Sequence, residues 1–529
     1  MLAAWLLLML PAFSQNIAIN TDASLPNANA ILDIKSDNKG LLIPRMSTKA
    51  RNAIPNTRGL LVYDINTDNF WYNTGSGWQC LLNDNDRDNH GQKGMAWLLT
   101  GNNNTKDGIN FLGTTNNIPL NIRVNNQPSG RIDSAKGTTH WGYKAGAVDS
   151  GFGNTAIGSF ALRNNSSGNE NTANGYQALY SNTTGYDNTA NGYQSLANNS
   201  EAGANTAFGA KTLSSNTTGV GNTATGDLAL YFNTSGTGNT ANGYATLTYN
   251  RTGMENIAVG DGALTYNTEG SYNVASGFQA LMNNRTGSNN VAVGNSAMYY
   301  NISGSSNTAG GSFCMFSLDS GYNNTAYGSD CLGANHTGSN NTALGASANV
   351  SADNLNNATA IGYGAIVNAS NKVRIGNAAV TVIEGQVPFT TPSDGRFKFN
   401  IQEDVSGLDF ILHLRPVTYQ FDTKRFDAQL NHQSNTSSSP ANYAIQTAYD
   451  ESSRIRRSGF IAQEVEKAAN ASGYNFSGII RPKTDQDHYS LSYDAFVVPL
   501  VKAVQEQQQQ IADLRREVEE LKKLIQHAQ

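Results

Sequence analysis

Asn154-Thr-Ala-Ile-Gly158, Asn171-Thr-Ala-Asn-Gly175 and Asn188-Thr-Ala-Asn-Gly192 stand seventeen residues apart. The same five-residue pattern returns at 205, 222, 239, 256, 273, 290, 307, 324 and 341, and a degenerate thirteenth copy is Ala358-Thr-Ala-Ile-Gly362. Asn fills the first column in twelve of thirteen copies, and the second is always β-branched: Thr, or Ile257, Val274 and Val291. Ala fills the third column throughout and Gly the fifth. The eighth is small, and the ninth is Leu or Met in the first eleven copies, Leu162 to Leu332. A constant period with columns of fixed size is what stacked β-coils require, because each column sits at one depth of a narrow interior. Ala and the small eighth residue face inward on this reading, Gly makes a corner open only to Gly, and Asn pairs its amides from coil to coil. Thirteen coils at about 4.8 Å each make a rod on the order of 60 Å long. A helix is excluded, since Gly with several Asn and Thr in every seventeen residues costs several kcal/mol in propensity.

Composition agrees with an extended β protein. Of 529 residues, 52 are Gly and only 14% are charged, while 39% are hydrophobic. With 35 basic and 40 acidic residues the net charge is −5, which leaves no basic footprint for nucleic acid. Between 154 and 370 there are four basic and ten acidic residues, a polar and nearly uncharged surface that suits a spacer or a glycan or surface-receptor contact better than catalysis. Paired carboxylates for glycan cleavage are missing from 15–385. An ice-binding role is disfavoured because Ile257, Val274 and Val291 interrupt the Thr column.

Met1 to Ser14, with an apolar run from Leu2 to Leu10 before Pro11-Ala-Phe-Ser14, reads as a secretory signal peptide, so the protein is expected to be secreted or held at the cell surface. No later stretch reaches the roughly 18 apolar residues of a membrane helix. Three cysteines make neither a disulfide scaffold nor a metal site; Cys314 and Cys331 share the small eighth column in adjacent coils, near enough for oxidation to be the alternative, and read as two buried hydrophobes. Asp84, Asp86 and Asp88 alternate like a calcium loop, but its twelfth position is Met95, so a solvated linker is expected, with no metal and no cofactor. The runs Ile31 to Ile34, Gly59 to Asp64, Phe70 to Tyr72 and Gly75 to Trp78 predict a small β module with hairpins, and Leu120 to Val124 with Gly130 to Asp133 a second β segment.

The repeat resembles the head repeats of YadA-like trimeric autotransporter adhesins, left-handed parallel β-rolls that trimerise side by side, although those use shorter coils. After Gly385 the composition changes. Ser393-Asp-Gly-Arg-Phe-Lys398-Phe-Asn-Ile401, Pro416 to Phe421, Arg457-Ser-Gly-Phe-Ile-Ala-Gln-Glu-Val465 and Tyr489-Ser-Leu-Ser-Tyr-Asp494 follow in order. This series resembles the C-terminal intramolecular chaperone of phage endosialidase and other tail spikes, a self-cleaving serine–lysine peptidase family. A Ser and a Lys five residues apart form a dyad if the chain turns back, the neutral amine taking the hydroxyl proton. The resemblance implies that Ser393 attacks the carbonyl of Pro392 with Lys398 as base, that Asp394 and Asn400 orient the turn, and that residues 393–529 are released.

The chain's end is a heptad helix. Val497, Val504, Ile511, Val518 and Ile525 fall at a, and Leu500, Gln507, Leu514 and Leu521 at d. β-Branched a with Leu at d favours a dimer by the simple rule, whereas the resemblance implies a homotrimer, and Gln507 weakens that rule. The expected organisation is therefore mostly β: signal peptide 1–14, N-terminal β module 15–82, linker and second β segment 83–153, a trimeric parallel β-solenoid 154–385, an α+β self-cleaving chaperone domain 386–495 and a trimeric coiled coil 496–529. The competing expectation is a surface fibre whose trimerisation domain stays attached.

Overall fold

The computed structural model describes residues 16–81, 105–109, 111–431, 440–483 and 487–528. The expected signal peptide and the Asp84, Asp86, Asp88 run lie outside the described residues. The chain divides into two compact units, Met1–Gly113 and Thr114–Gln529.

The first unit holds a parallel strand pair, Ile17–Asn20 with Leu32–Lys35, and a four-stranded sheet. In that sheet Leu61–Asp64, Asn69–Asn73 and Trp78–Cys80 form the expected antiparallel hairpins, and Arg45–Met46 joins in parallel. Helix Thr48–Asn52 starts at Ser47, whose hydroxyl accepts from Ala50 N. It carries Arg51 inward to a buried ion pair with Asp64 at 3.2 Å, with the guanidinium 3.4 Å from the centre of the Trp71 ring.

The second unit is built on the repeats. Each three-residue strand pairs in parallel with the strand seventeen residues on, from Thr155–Ile157 to Thr359–Ile361, like residue on like: Thr155 on Thr172, Ala156 on Ala173. The stack begins one rung before the repeats, where Thr138–Trp141, the last strand of an antiparallel meander with Leu120–Val124 and Gln127–Asp133, pairs in parallel with Thr155–Ile157. It ends on Val373–Ile375.

The columns behave as their residue types demand. The Ala column, Ala156 to Ala360, and the Leu or Met column, Leu162 to Leu332, are buried along the whole stack and form one core. The Leu or Met residues have φ near +50°, a left-handed conformation that costs an L-residue about 1–2 kcal/mol. Burying the side chain returns about 1.5–3 kcal/mol. β-Branched residues tolerate this backbone worst, which accounts for Leu and Met rather than Ile or Val. The corner glycines have φ from +106° at Gly362 to +143° at Gly175.

Asn154 to Asn341 form the expected amide ladder. In the middle of the stack Asn239 donates through both its backbone N–H and its Nδ2 to Asn222 Oδ1, and Nδ2 also reaches Gly253 O at 2.9 Å. A second ladder, outside the columns that define the repeat, runs through the twelfth position from Asn165 to Asn301, each Nδ2 donating to the preceding Oδ1 at 2.7–3.0 Å. Leu318 interrupts it and leaves the buried Asn301 Oδ1 without a hydrogen-bond partner. Asn250→Leu copies that interruption into the centre: Asn233 Oδ1 loses its donor and Asn267 Nδ2 an acceptor. The expected result is a fold retained, as at Leu318, with a loss of about 1–3 kcal/mol in denaturant unfolding.

Both ladders end on one carboxylate. Asp149, whose side chain is buried, accepts from Asn154 Nδ2 at 3.1 Å, Asn165 Nδ2 at 2.7 Å, Gly151 N at 2.9 Å and His140 Nε2 at 2.9 Å. Burial pushes its pKa up, but the His140 and Asn165 donors outweigh burial and hold the carboxyl below its usual value. A depressed carboxylate adds stability above the unfolded Asp value of about 3.9, and that stability is lost as pH falls through the folded value. Asp149→Asn is therefore expected to melt lower than wild type at neutral pH, with the gap narrowing below about pH 4 in a series of melts.

Cys314 and Cys331 are buried free thiols, donating to Ala326 O at 3.3 Å and Gly345 O at 2.6 Å. After the stack, residues 381–404 are exposed throughout. The C-terminal part is α+β. Val417–Gln420 pairs antiparallel with Arg456–Gly459, and Ile479–Ile480 with Ser490–Leu491. Phe410, Val465, Ala468, Ala469, Phe476, Ile479 and Phe496 make its core. Helix Val497–Ala528 closes the chain, with its a and d residues Val497, Leu500, Val504, Leu514, Leu521 and Ile525 exposed. Among the described residues no helix is long and apolar enough to cross a membrane.

Candidate active site

Asp394 starts a single 3-10 turn, Gly395–Phe397, by accepting from Arg396 N at 2.9 Å. That turn reverses the chain after Ser393, and Asn400, at φ +52°, turns it again. The consequence is that Lys398 Nζ comes back to donate to Ser393 Oγ at 2.7 Å. Ser393 and Lys398 are thus adjacent, Asp394 is part of the turn that joins them, and Pro392 precedes them outside any helix or strand.

Asp394 has a second partner absent from the sequence reading. The Arg396 guanidinium donates to its Oδ2 at 2.9 and 2.6 Å and holds the carboxyl below its usual range. Asp394 is therefore paired with Arg396 and is joined to Lys398 only through the backbone turn it caps. The cue was the Asp-Gly-Arg spacing itself, since an i, i+2 pair across a turn meets. Asn400 Oδ1 accepts from Gln402 Nε2 at 3.1 Å and does not touch the dyad.

The flanking sequence runs build a scaffold. Tyr493 Oη accepts from Phe460 N at 3.0 Å, Tyr489 Oη donates to Glu466 at 3.0 Å, and Arg415 pairs with Glu464. Glu506 on the last helix accepts from Leu408 N at 2.7 Å. These contacts tie the helices and the strand pair together downstream of the dyad. Among the described residues the segment around Ser393 and Lys398 is uncovered: Phe389, Phe397, Phe399 and Ile401 are 78–90% exposed. Among the described residues no cluster of three metal-ligating side chains exists.

Residues 393–474 match the peptidase family described as Chaperone of endosialidase, and residues 18–96 match the family described as Phage tail like trimerisation region. No curated protein matches the chain. The two matches, at opposite ends of the sequence, fit a trimeric fibre with a C-terminal chaperone, and the match over 393–474 supports a self-processing peptidase role for that end.

Proposed function

We propose that the protein is an exported homotrimeric fibre whose C-terminal chaperone assembles three chains and then removes itself by cutting between Pro392 and Ser393. The observation that carries this reading is the 2.7 Å contact of Lys398 Nζ with Ser393 Oγ inside a segment matching the chaperone family. Ser393 Oγ gives its proton to the neutral Lys398 amine and attacks the Pro392 carbonyl carbon. The Pro392–Ser393 C–N bond breaks as the proton passes to the Ser393 nitrogen, leaving an ester between Pro392 and the Ser393 oxygen. Water then hydrolyses that ester to a Pro392 carboxylate and a free Ser393 amine. Lysine works as a base only when neutral, a form that burial favours. The open dyad and its exposed Phe397 and Phe399 therefore lack their cover until neighbouring chains arrive, which ties the cut to assembly.

Release of the folding aid makes the mature fibre persist by its unfolding rate alone. The solenoid, polar and nearly free of charge, then serves as a surface spacer or adhesin toward a glycan or other surface receptor. The long helix Val497–Ala528, with its a and d faces open, supplies the coiled coil that gathers the chains. The test is the denatured intact mass of the purified chain. Two pieces are expected, one of them residues 393–529, which is 137 residues (529 − 393 + 1). A second reading, favoured by the exposure of the dyad and by the fixed φ of Pro392 ahead of the bond, is a fibre that keeps its trimerisation domain; a single full-length mass is its mark.

A further inference from the structure

The basic residues of the solenoid are unevenly placed. Residues 154–370 hold four, and then Lys372 and Arg374 flank Val373 at the last rung. Both meet acid from the C-terminal part. Lys372 Nζ lies 3.4 Å from Asp487 Oδ1 and donates to Asn368 Oδ1 at 2.9 Å, while Asn368 Nδ2 donates to the same Asp487 oxygen at 3.3 Å. Asn368 and Asp487 are both buried. The Arg374 guanidinium stands 5.5 Å from the Phe426 ring centre, with Asp427 of the same helix, Thr423–Asn431, as its charge partner. Tyr449 donates to Asp427, and burial with that bond pushes its pKa up. His488 packs edge-on against Phe426 at 4.8 Å.

Three features make this more than incidental packing. The charges are complementary, two cations on the solenoid facing two carboxylates on the chaperone. The contact sits at the terminal rung, made by Lys372 and Arg374 on either side of Val373. And every chaperone residue in it lies after position 393, while the connecting stretch 381–404 is exposed along its length. The contact and the covalent link are therefore independent of each other.

We propose that this contact is a latch: residues 393–529, once severed, stay seated on the last solenoid coil through Lys372–Asn368–Asp487 and Arg374–Phe426–Asp427, and leave in a separate, salt-sensitive step. The occupant is a segment of the chain itself, and release of the chaperone becomes two events, bond cleavage and dissociation. The biological consequence rests on the self-cleavage reading; the geometry does not.

The test is size exclusion of the full chain after cleavage, at about 0.1 M and about 1 M salt, where the screening length falls from about 10 Å to about 3 Å. The 137-residue piece is expected to co-elute with the solenoid at the lower salt and to separate at the higher. Lys372→Glu and Asp487→Lys are each expected to lower the salt at half-release by about threefold or more, and the double variant to recover most of that shift. Lys372→Gln, on a side chain 29% exposed, keeps the comparison available if the buried Asp487→Lys fails to fold. Separation of the wild-type piece at the lower salt, or a release point unmoved by Lys372→Glu and Lys372→Gln, overturns the latch. If the chain does not cut itself, a specific protease site placed within 386–391 severs the same link and the same fractions are read. Denaturing mass reports the self-cut by itself, so failure of one reading is distinct from failure of the other.

Discussion

Ser393→Ala is expected to leave the purified chain whole on denaturing mass analysis, and Lys398→Ala to do the same, while wild type divides at Pro392/Ser393. The first variant has no side-chain oxygen to attack the carbonyl, and the second has no amine to take the Ser393 proton across the 2.7 Å that separates the pair. Removing either member of such a unit costs about as much as removing both, on the order of 10⁴–10⁶ in rate, so neither variant is expected to cut within the life of a preparation. Asp394→Ala is a milder change. It removes the cap on Gly395–Phe397 and the Arg396 pair, loosening the turn without touching the reacting atoms, so slowed cleavage is expected. Both variants are expected to retain trimer mass, because neither change touches helix Val497–Ala528 or residues 18–96, which match the trimerisation family.

Gly243→Ala is the second large effect. Gly243 sits mid-stack at φ +141°, and an added Cβ would lie 2.6 Å from Gly260 O, a backbone atom of the next coil that accepts from Thr246 Oγ1 and Ala263 N. An L-residue in that conformation costs about 1–3 kcal/mol before any contact is counted. The coils must also part to admit the methyl, which breaks the in-register pairing of Thr240–Asn242 with Ile257–Val259. A total above about 3 kcal/mol is expected, read as lost solubility or a melting transition lowered by many degrees. Gly262→Ala offers a contrast, since its Cβ meets only flexible side-chain ends, Gln279 Cγ at 3.3 Å and Thr265 Oγ1 at 3.6 Å. Its cost is confined to the φ of +67°.

The repeats were legible because stacking converts geometry into composition. An Ala or Gly column is needed at each rung, and the period prints that need thirteen times. The Asn ladder beginning at Asn154 was legible for the same reason. The twin ladder from Asn165 carries an equally plain signal in the twelfth position, beyond the five-residue pattern and its two followers, and the column reading stopped short of it. The left-handed backbone of Leu162 and its equivalents was hidden, since Leu is no marker of positive φ. The ladder-ending Asp149 with His140 occurs once, so no period announces it.

At the C-terminus the order of sequence runs pointed to the family, and the local spacing of Ser393 and Lys398 to a turn. Their separation alone could not show that Asp394 would be held by Arg396. The latch was invisible for a different reason: Lys372 and Asp487 are 115 residues apart, and no local pattern encodes a contact at that distance. The heptads of the last helix were plain in the spacing, and their apolar a and d residues are exposed in the single chain.

Chains are expected to gather in threes and then to be cut at one bond. Native mass measurement during expression and purification, paired with denatured mass of each native species, tests it most directly. The 137-residue piece beginning at Ser393 is expected to arise only from species of three chains, with single chains intact. Cut single chains, or three-chain species that stay at full length indefinitely, would contradict it.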